Sequence, residues 1–205
     1  RFYEFAFSLK RTPHQKLDYV SVCSPNYLHH AHIAAGMRLG CDVICEKPLV
    51  PSLKLLDDLS LIEKETGRRV FNILQLRHHN AILDLKSQIE KEKRDDKYEV
   101  ELTYITSRGK WYMESWKGDP KKSFGIATNI GIHLFDLLIW LFGEVEDQEV
   151  HVNDQFTSAG VLYLKNATVP WFLSIDPALL PEKQISEGQR TYRSITVDEQ
   201  EIEFS

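Results

Sequence analysis

Apolar residues in the first third of the chain come either as short unbroken runs or as longer stretches at helical spacing. "LDYVSVCS" is an unbroken run closed by Pro25 and Asn26, the pattern of a strand covered on both faces. "YLHHAHIAAGMRLG" follows with Leu28, Ile33, Ala34 and Met37 at helical intervals, and Gly40 is placed to end it. "CDVICE" repeats the strand pattern. Pro51-Ser52 then opens the helix "SLKLLDDLSLIEKETG", with Ser52 as N-cap and Gly67 as C-cap. "RRVFNILQL" reads as a third strand. Strand, helix, strand, helix, strand in that order predicts a parallel sheet with right-handed crossovers.

The pattern changes after about Arg77. A charged amphipathic helix, "AILDLKSQIEKEKRDD", leads into "KYEVELTYITSRG", where apolar and polar residues alternate as in a half-exposed strand. "NIGIHLFDLLIWLFG" predicts one more helix, after which the chain becomes β-rich. "GVLYLKNATVPWFLSID" reads as a hairpin turning near Asn166, and "YRSITVDEQEIEFS" as another turning near Asp198-Glu199. The expected division lies near residue 78, with an α/β part over 1–78 and a helix-plus-antiparallel-sheet part over 79–205.

Composition narrows the classes of partner. A chain of 205 residues with 42% hydrophobic content can bury a real core. A formal charge of -5 offers no basic patch, so small molecules are expected as partners rather than nucleic acid. No stretch is expected to approach the roughly 18 apolar residues of a membrane span, so no membrane partner is expected. The opening "RFYEFAFSLKRTPHQ" has no long apolar core of the signal-peptide kind and no initiator Met, so the chain is expected to begin mid-protein. Cys23 and Cys45 sit in strand-like runs and the total of three cysteines is odd, which predicts reduced, buried thiols in a cytoplasmic setting.

Ligands of open parallel sheets bind beyond the carboxyl ends of the strands. Three such ends are expected side by side: Ser24-Pro25-Asn26, Glu46-Lys47-Pro48 and Gln75-Leu76-Arg77. The first reads equally well as a turn and helix cap. Lys47 is harder to assign to structure alone, because a lysine at the inner end of a buried strand loses solvation and tends toward the lowered pKa of a proton-transferring group. On the later helix Asn129, His133 and Asp136 fall at i, i+4 and i+7 and are expected to share a stripe. A histidine on an apolar helix is commonly a hydrogen-bonded core residue; the amide and carboxylate beside it favour chemistry. His29, His30 and His32 share one helical turn but point different ways with no Cys or acidic neighbour, so no metal site is expected. "EKEKRDD" reads as a solvated helix end, and Trp140, Trp171 and Phe172 as core or interface residues.

"SPNYLHHAHI", "CEKPL" and the helix with His133 and Asp136 resemble the Gfo/Idh/MocA family of nicotinamide-dependent sugar oxidoreductases. Within it, "NILQLRHH", "YITSRGKWY", "SWKGDPKKSFG" and "TNIGIHLFDLL" resemble the UDP-N-acetyl-2-amino-2-deoxyglucuronate dehydrogenases of the WlbA/WbpB type, enzymes of bacterial surface-polysaccharide (O-antigen) synthesis. The resemblance implies a partial Rossmann-type parallel sheet followed by an α+β domain with an open, mainly antiparallel sheet. It implies NAD as cofactor, a UDP-linked uronate as substrate and a cytoplasmic homo-oligomer, commonly a tetramer packed through the sheet. The family's first βαβ unit, with its glycine-rich phosphate turn, is not found before Tyr19, and its closing elements are not found after Ser205.

Carried over residue by residue, the resemblance places Ser24, Pro25, Asn26 and His29 along the cofactor, with Glu46, Lys47, Gln75 and Arg77 near the nicotinamide. Ser107, Arg108, Trp116, Lys117 and Asn129 fall to the substrate together with Lys47 and His133. Asn129 stands where many family members carry Asp, and an amide takes no proton, so proton handling falls on Lys47 and His133 within one cleft. Arg108 suits a carboxylate as a planar fork and Lys117 suits a phosphate or carboxylate as a point charge, while both also read as solvated loop charges. Two alternatives stay open: a dehydrogenase of another sugar or cyclitol, and a catalytically silent sugar-nucleotide-binding subunit.

Overall fold

The computed structural model describes residues 4–5, 8, 16–92 and 94–204. The opening stretch read for a signal-like core lies almost wholly outside the described residues, as does part of "EKEKRDD". The chain forms two compact units, Arg1–Ile73 with Lys121–Phe124, and Leu74–Pro120 with Gly125–Ser205. The division falls a few residues before the expected boundary, so Gln75 and Arg77 belong to the second unit.

In the first unit, β1 (Tyr19–Val22), α1 (His29–Arg38), β2 (Asp42–Cys45), α2 (Leu53–Thr66) and β3 (Val70–Asn72) follow in the expected order. The sheet runs β1-β2-β3, all parallel, and its register aligns Val22 with Cys45 and Cys45 with Asn72. Three strands therefore end at one level, where Ser24 after β1, Glu46 after β2 and Asn72 closing β3 share a rim. Ile33 and Met37 of α1 and Leu59 and Ile62 of α2 bury against Val22, Val43 and Cys45, each such side chain contributing about 1.5–3 kcal/mol by leaving water. Close approach of α1 to β2 depends on Gly36, where an added Cβ would stand 2.8 Å from Val43 Cγ2. α2 starts on Ser52, whose hydroxyl accepts from the Leu55 N–H at 3.5 Å, and stops at Gly67 in the left-handed region, φ 64°.

Cysteine burial differs from expectation at one position. Cys41 and Cys45 are buried, but Cys23 is exposed: it follows β1 on the side of exposed Ser21, whose Oγ lies 3.5 Å from its Sγ. The third apolar run is also strand only to Asn72, and Gln75–His78 form a 3-10 turn.

The second unit opens with α3 (Asn80–Lys91), whose hydrophobic face buries Ile82 and Leu85. β4 (Tyr98–Thr106) and a short α4 (Lys110–Glu114) precede a π-helical turn, Ala127–Gly131, that runs into α5 (Ile132–Phe142). Then come β5 (Val145–Asn153), β6 (Thr157–Leu164), β7 (Ala167–Ser174), α6 (Glu182–Ser186), β8 (Thr191–Val197) and β9 (Gln200–Glu203). The six-stranded sheet has the order β5-β6-β7-β4-β8-β9, antiparallel except for the β4–β7 pair. Leu134, Leu137, Leu138, Leu141 and Phe142 of α5 supply one side of its core, and Leu102, Leu164, Val169, Leu173 and Ile195 of the sheet supply the other.

Both expected hairpins turn where anticipated. At the second, Asp198 and Glu199 take left-handed φ values of 44° and 73°, the geometry that matches strand twist in a two-residue loop. β5 was not anticipated as a separate strand: all nine of its residues are exposed, and register shifts at Val145/Asp147 and Val150/Val152 break any alternation. The expectation that no stretch nears membrane-span length is corrected by Pro120–Phe142, which has the length and mean hydropathy of a span. Ile126, Ile130, Leu134, Leu137, Leu138, Leu141 and Phe142 bury in the core of the second unit, Ile139 is exposed, and the segment carries Lys121, Lys122, His133 and Asp136.

Candidate active site

In the first unit the strand-end rim is held from behind. Ser24 follows β1, and its carbonyl oxygen lies 2.9 Å from Nε2 of His29 while its hydroxyl lies 2.9 Å from Nδ1 of His32. Nδ1 of His29 lies 2.7 Å from the Pro48 carbonyl oxygen. His29, expected along the cofactor, is fully buried, with both ring nitrogens on backbone carbonyls. Asn26 is likewise turned inward, donating from Nδ2 to the Ser123 carbonyl at 2.9 Å. The histidine cluster is more than a bland helical turn: two of its members grip Ser24, and the third, His30, meets Asp58 at 2.7 Å on the surface.

The middle loop is fixed by a residue that sequence reading passed over. Asn72, last in β3, donates from Nδ2 to the carbonyls of Cys45 at 3.0 Å and Glu46 at 3.2 Å. An amide closing an otherwise apolar run was the available signal. With the Glu46 N–H donating to Val22 at 3.0 Å, the backbone of Glu46 is set. Its carboxylate is exposed, Lys47 is half-buried, and the peptide bond to Pro48 is cis. Beneath them burial, then the charges of Glu46 and Cys23, push the Cys45 thiol up to about 12, so it stays protonated and inert.

In the second unit Arg77 grips Asp136. Nε donates to Oδ2 at 2.7 Å and NH2 to Oδ1 in a two-point fork, and the guanidinium lies 5.7 Å from the Trp140 ring. The bond to Asp136 raises the Arg77 pKa further above its ordinary value. Arg77, expected near the nicotinamide, has its guanidinium engaged with Asp136, and Gln75 is exposed. The expected stripe of three also separates: Asp136 goes to Arg77, whereas buried Asn129 donates to the Tyr112 hydroxyl at 3.3 Å. The π turn containing Asn129 changes the angular spacing on which the stripe was predicated. His133 is half-buried in the first turn of α5.

Tyr112 meets Asn129, Arg108 and Trp111. Arg108, exposed beyond β4, lies 5.9 Å from its ring and lines a cavity of about 260 Å3 with Met113, Phe156, Ile175, Asp176 and Pro177. Lys117 places its ammonium 5.2 Å from the Trp111 ring and 5.7 Å from that of Trp116. Ser107 is half-buried with its N–H donated to the Arg190 carbonyl at 2.8 Å. Trp111, 54% exposed, was not anticipated as part of this group. No cluster of metal-ligating side chains occurs among the described residues.

A parallel sheet with polar loops gathered at its strand ends, joined in one chain to an α+β unit on an open mixed sheet, defines the class: an oxidoreductase built on a dinucleotide-binding fold. Residues 4–74 match the domain described as "Oxidoreductase family, NAD-binding Rossmann fold", and residues 86–165 its "C-terminal alpha/beta domain". The chain belongs to the Gfo/Idh/MocA oxidoreductase family.

Among solved structures, the WlbA (WbpB) dehydrogenase of Thermus thermophilus is 49% identical over 98% of this chain, with a TM-score of 0.92. This chain covers 65% of the Thermus chain in the complex with NAD and α-ketoglutarate, and 66% in the complex with NAD and UDP-GlcNAcA. D-glucoside 3-dehydrogenase of Escherichia coli is 28% identical over 62% of this chain and 36% of its own length. The scyllo-inositol 2-dehydrogenase (NADP(+)) IolW of Bacillus subtilis is 24% identical over 90% of this chain and 54% of its own length. The chain thus spans about a third to a half of the length of these curated relatives.

Proposed function

We propose that this chain carries the greater part of an NAD-dependent dehydrogenase that oxidises the 3-hydroxyl of UDP-N-acetyl-2-amino-2-deoxyglucuronate, a step of bacterial surface-polysaccharide synthesis. The observation that carries the reading is the 49% identity to the Thermus dehydrogenase over nearly the whole chain. The 3-position draws support from the relative named as a D-glucoside 3-dehydrogenase. Assembly as a homo-oligomer through the open sheet of the second unit, in the cytoplasm, belongs to the same reading.

The rim of the first unit fits NAD in its donor set. Glu46 offers an exposed carboxylate to ribose hydroxyls, and Ser24, Pro25 and Lys47 stand at neighbouring strand ends; Asn26 and His29 serve by holding that rim. Bound NAD supplies the hydride acceptor. Lys47 hydrogen-bonds the reacting oxygen and stabilises the negative charge that grows on it as its proton leaves. His133 takes that proton and passes it to solvent. Arg77, locked to Asp136, holds the helical turn that carries His133. Arg108 and Lys117 receive the anionic parts of the sugar nucleotide, with Ser107, Trp116 and Asn129 completing the lining.

Arg108 is exposed, so its attraction for a carboxylate is screened, and the preference for the uronate over the neutral sugar nucleotide is set at about tenfold, roughly 1.4 kcal/mol. The test mixes the protein with NAD and either UDP-GlcNAcA or UDP-GlcNAc and follows reduced nicotinamide by absorbance. Reduction with UDP-GlcNAcA at the higher kcat/KM supports the reading. Equal efficiency removes the role of Arg108 and Lys117, and no reduction with either sugar overturns the function.

A further inference from the structure

Beyond the rim-holding given to His29, the histidine cluster of α1 has no part in the roles above, yet it holds some of the tightest side-chain contacts of the first unit. His29 is fully buried, and its two ring nitrogens face two different loops, Pro48 at 2.7 Å and Ser24 at 2.9 Å. Both partners are backbone carbonyls and can only accept. One carbonyl therefore receives an N–H from either neutral tautomer, and a protonated ring donates to both. His32, one turn on, adds a bond from the other side of Ser24, at its hydroxyl. Pro48 immediately follows Lys47, and its carbonyl lies in the peptide plane to Leu49; because the proline ring restrains φ, holding that carbonyl restricts the Lys47–Pro48 plane one residue back, on which Lys47 is mounted.

We propose that His29 is a positioning residue that works in two directions: its Nε2 sets the Ser24 loop for the cofactor, and its Nδ1 sets the Pro48 carbonyl and through it the aim of Lys47. This rests on the functional reading above for what the two loops do, and on the geometry alone for the tie between them. A ring with one nitrogen on each loop couples cofactor seating to the placement of the reacting-oxygen partner, although it touches neither ligand.

The two halves of the tie separate by substitution, because an asparagine amide reaches where Nδ1 stands and a glutamine amide where Nε2 stands. The measurements are made on the full-length protein that carries this chain, with NAD affinity by calorimetric titration without sugar and turnover on UDP-GlcNAcA at saturating NAD. His29→Asn is expected to weaken NAD binding about tenfold or more while leaving saturated turnover within roughly threefold. His29→Gln is expected to do the reverse, holding NAD affinity within roughly threefold and lowering turnover about tenfold or more. Simple destabilisation gives no such crossed pattern, since it lowers NAD affinity and turnover together in each variant. Equal losses in both variants, no loss in either, or the opposite pairing overturns the proposal.

A measurement on the unsubstituted protein covers the case in which both variants misfold. With nitrogen-labelled histidine, a ring N–H of His29 should exchange slowly and show coupling to the Ser24 or Pro48 carbonyl; rapid exchange overturns the tie. If the unsubstituted protein binds NAD but oxidises no sugar, the functional reading fails, and the affinity and exchange measurements still decide the role of His29.

Discussion

Arg77 grips the carboxylate of Asp136 at two points, one helical turn beyond His133, and so anchors the start of α5 to the 3-10 turn after β3. Asp136 is mostly buried and Arg77 is about two-fifths exposed, which places the pair between the surface and buried regimes. Asp136→Asn and Arg77→Lys should each cost about 1–2 kcal/mol, since a lysine cannot reproduce the fork and an amide loses the charge. Urea unfolding of both single variants and the double variant checks this. Strict additivity of the two losses would show that the pair is not coupled.

Lys47→Ala and His133→Asn should each lower turnover at least about a hundredfold while leaving NAD affinity within severalfold, because proton-transfer groups typically contribute that much. Near-parental rates in both variants would remove the assigned chemistry. A loss confined to NAD binding would move Lys47 from the reacting oxygen to the cofactor.

The thiols should respond to pH in a defined order. Cys23 is exposed, whereas Cys45 is fully buried with its pKa pushed up to about 12 by burial and the nearby acids. A group whose folded pKa is raised stabilises the fold fully below its unfolded value, about 8.5 for a thiol, and that contribution falls as pH climbs toward the folded value. Iodoacetamide at mildly alkaline pH should therefore modify Cys23 and spare Cys45. Removing Cys45 by Cys45→Ala should flatten the loss of stability with rising pH above about 8.5. Rapid native labelling of Cys45 would contradict this placement.

At the β8–β9 turn Glu199 holds φ at 73°, a conformation that costs a residue with a side chain more than it costs glycine. Glu199→Gly should stabilise the protein by about 0.5–1 kcal/mol, the relief of strain exceeding the added freedom of the unfolded chain. Asp198 is the wrong place for the same change. Its Oδ1 accepts from the Glu99 N–H at 3.1 Å, its Oδ2 pairs with Arg94, and its loss should destabilise. Thermal melts of Glu199→Gly and Asp198→Gly, one raised and one lowered, check both statements.

Strand and helix order in the first unit was readable because each strand is a short apolar run and α2 carries its own start and stop, Ser52 and Gly67, although β1 and β3 keep exposed residues and are not covered on both faces as expected. The hairpins at Asn166 and Asp198 were readable for a related reason, a short polar turn between alternating runs. β5 escaped because its residues face solvent on both sides and its bulges erase the period on which recognition depends. At the site, residue types announced the rim but not the direction of each side chain. Whether Asn26 points at a ligand or at Ser123, and whether Arg77 meets a cofactor or Asp136, depends on contacts between segments far apart in the chain. Asn72, Trp111 and Tyr112 lie inside stretches that carry the family resemblance, but the part each plays emerges only from those contacts.

The solvent-facing strand β5 has a further consequence for how copies of the protein meet. A nine-residue edge with free backbone groups invites a passing strand to pair with it. This one carries Glu146, Asp147 and Glu149 and is kinked at two bulges. The bonds from His151 and then Tyr163 hold the Glu149 carboxyl below its ordinary pKa, so it keeps its charge into mildly acid solution. The same exposure that hid the strand from pattern reading makes it a charged border, one that turns a neighbouring strand away from pairing with it.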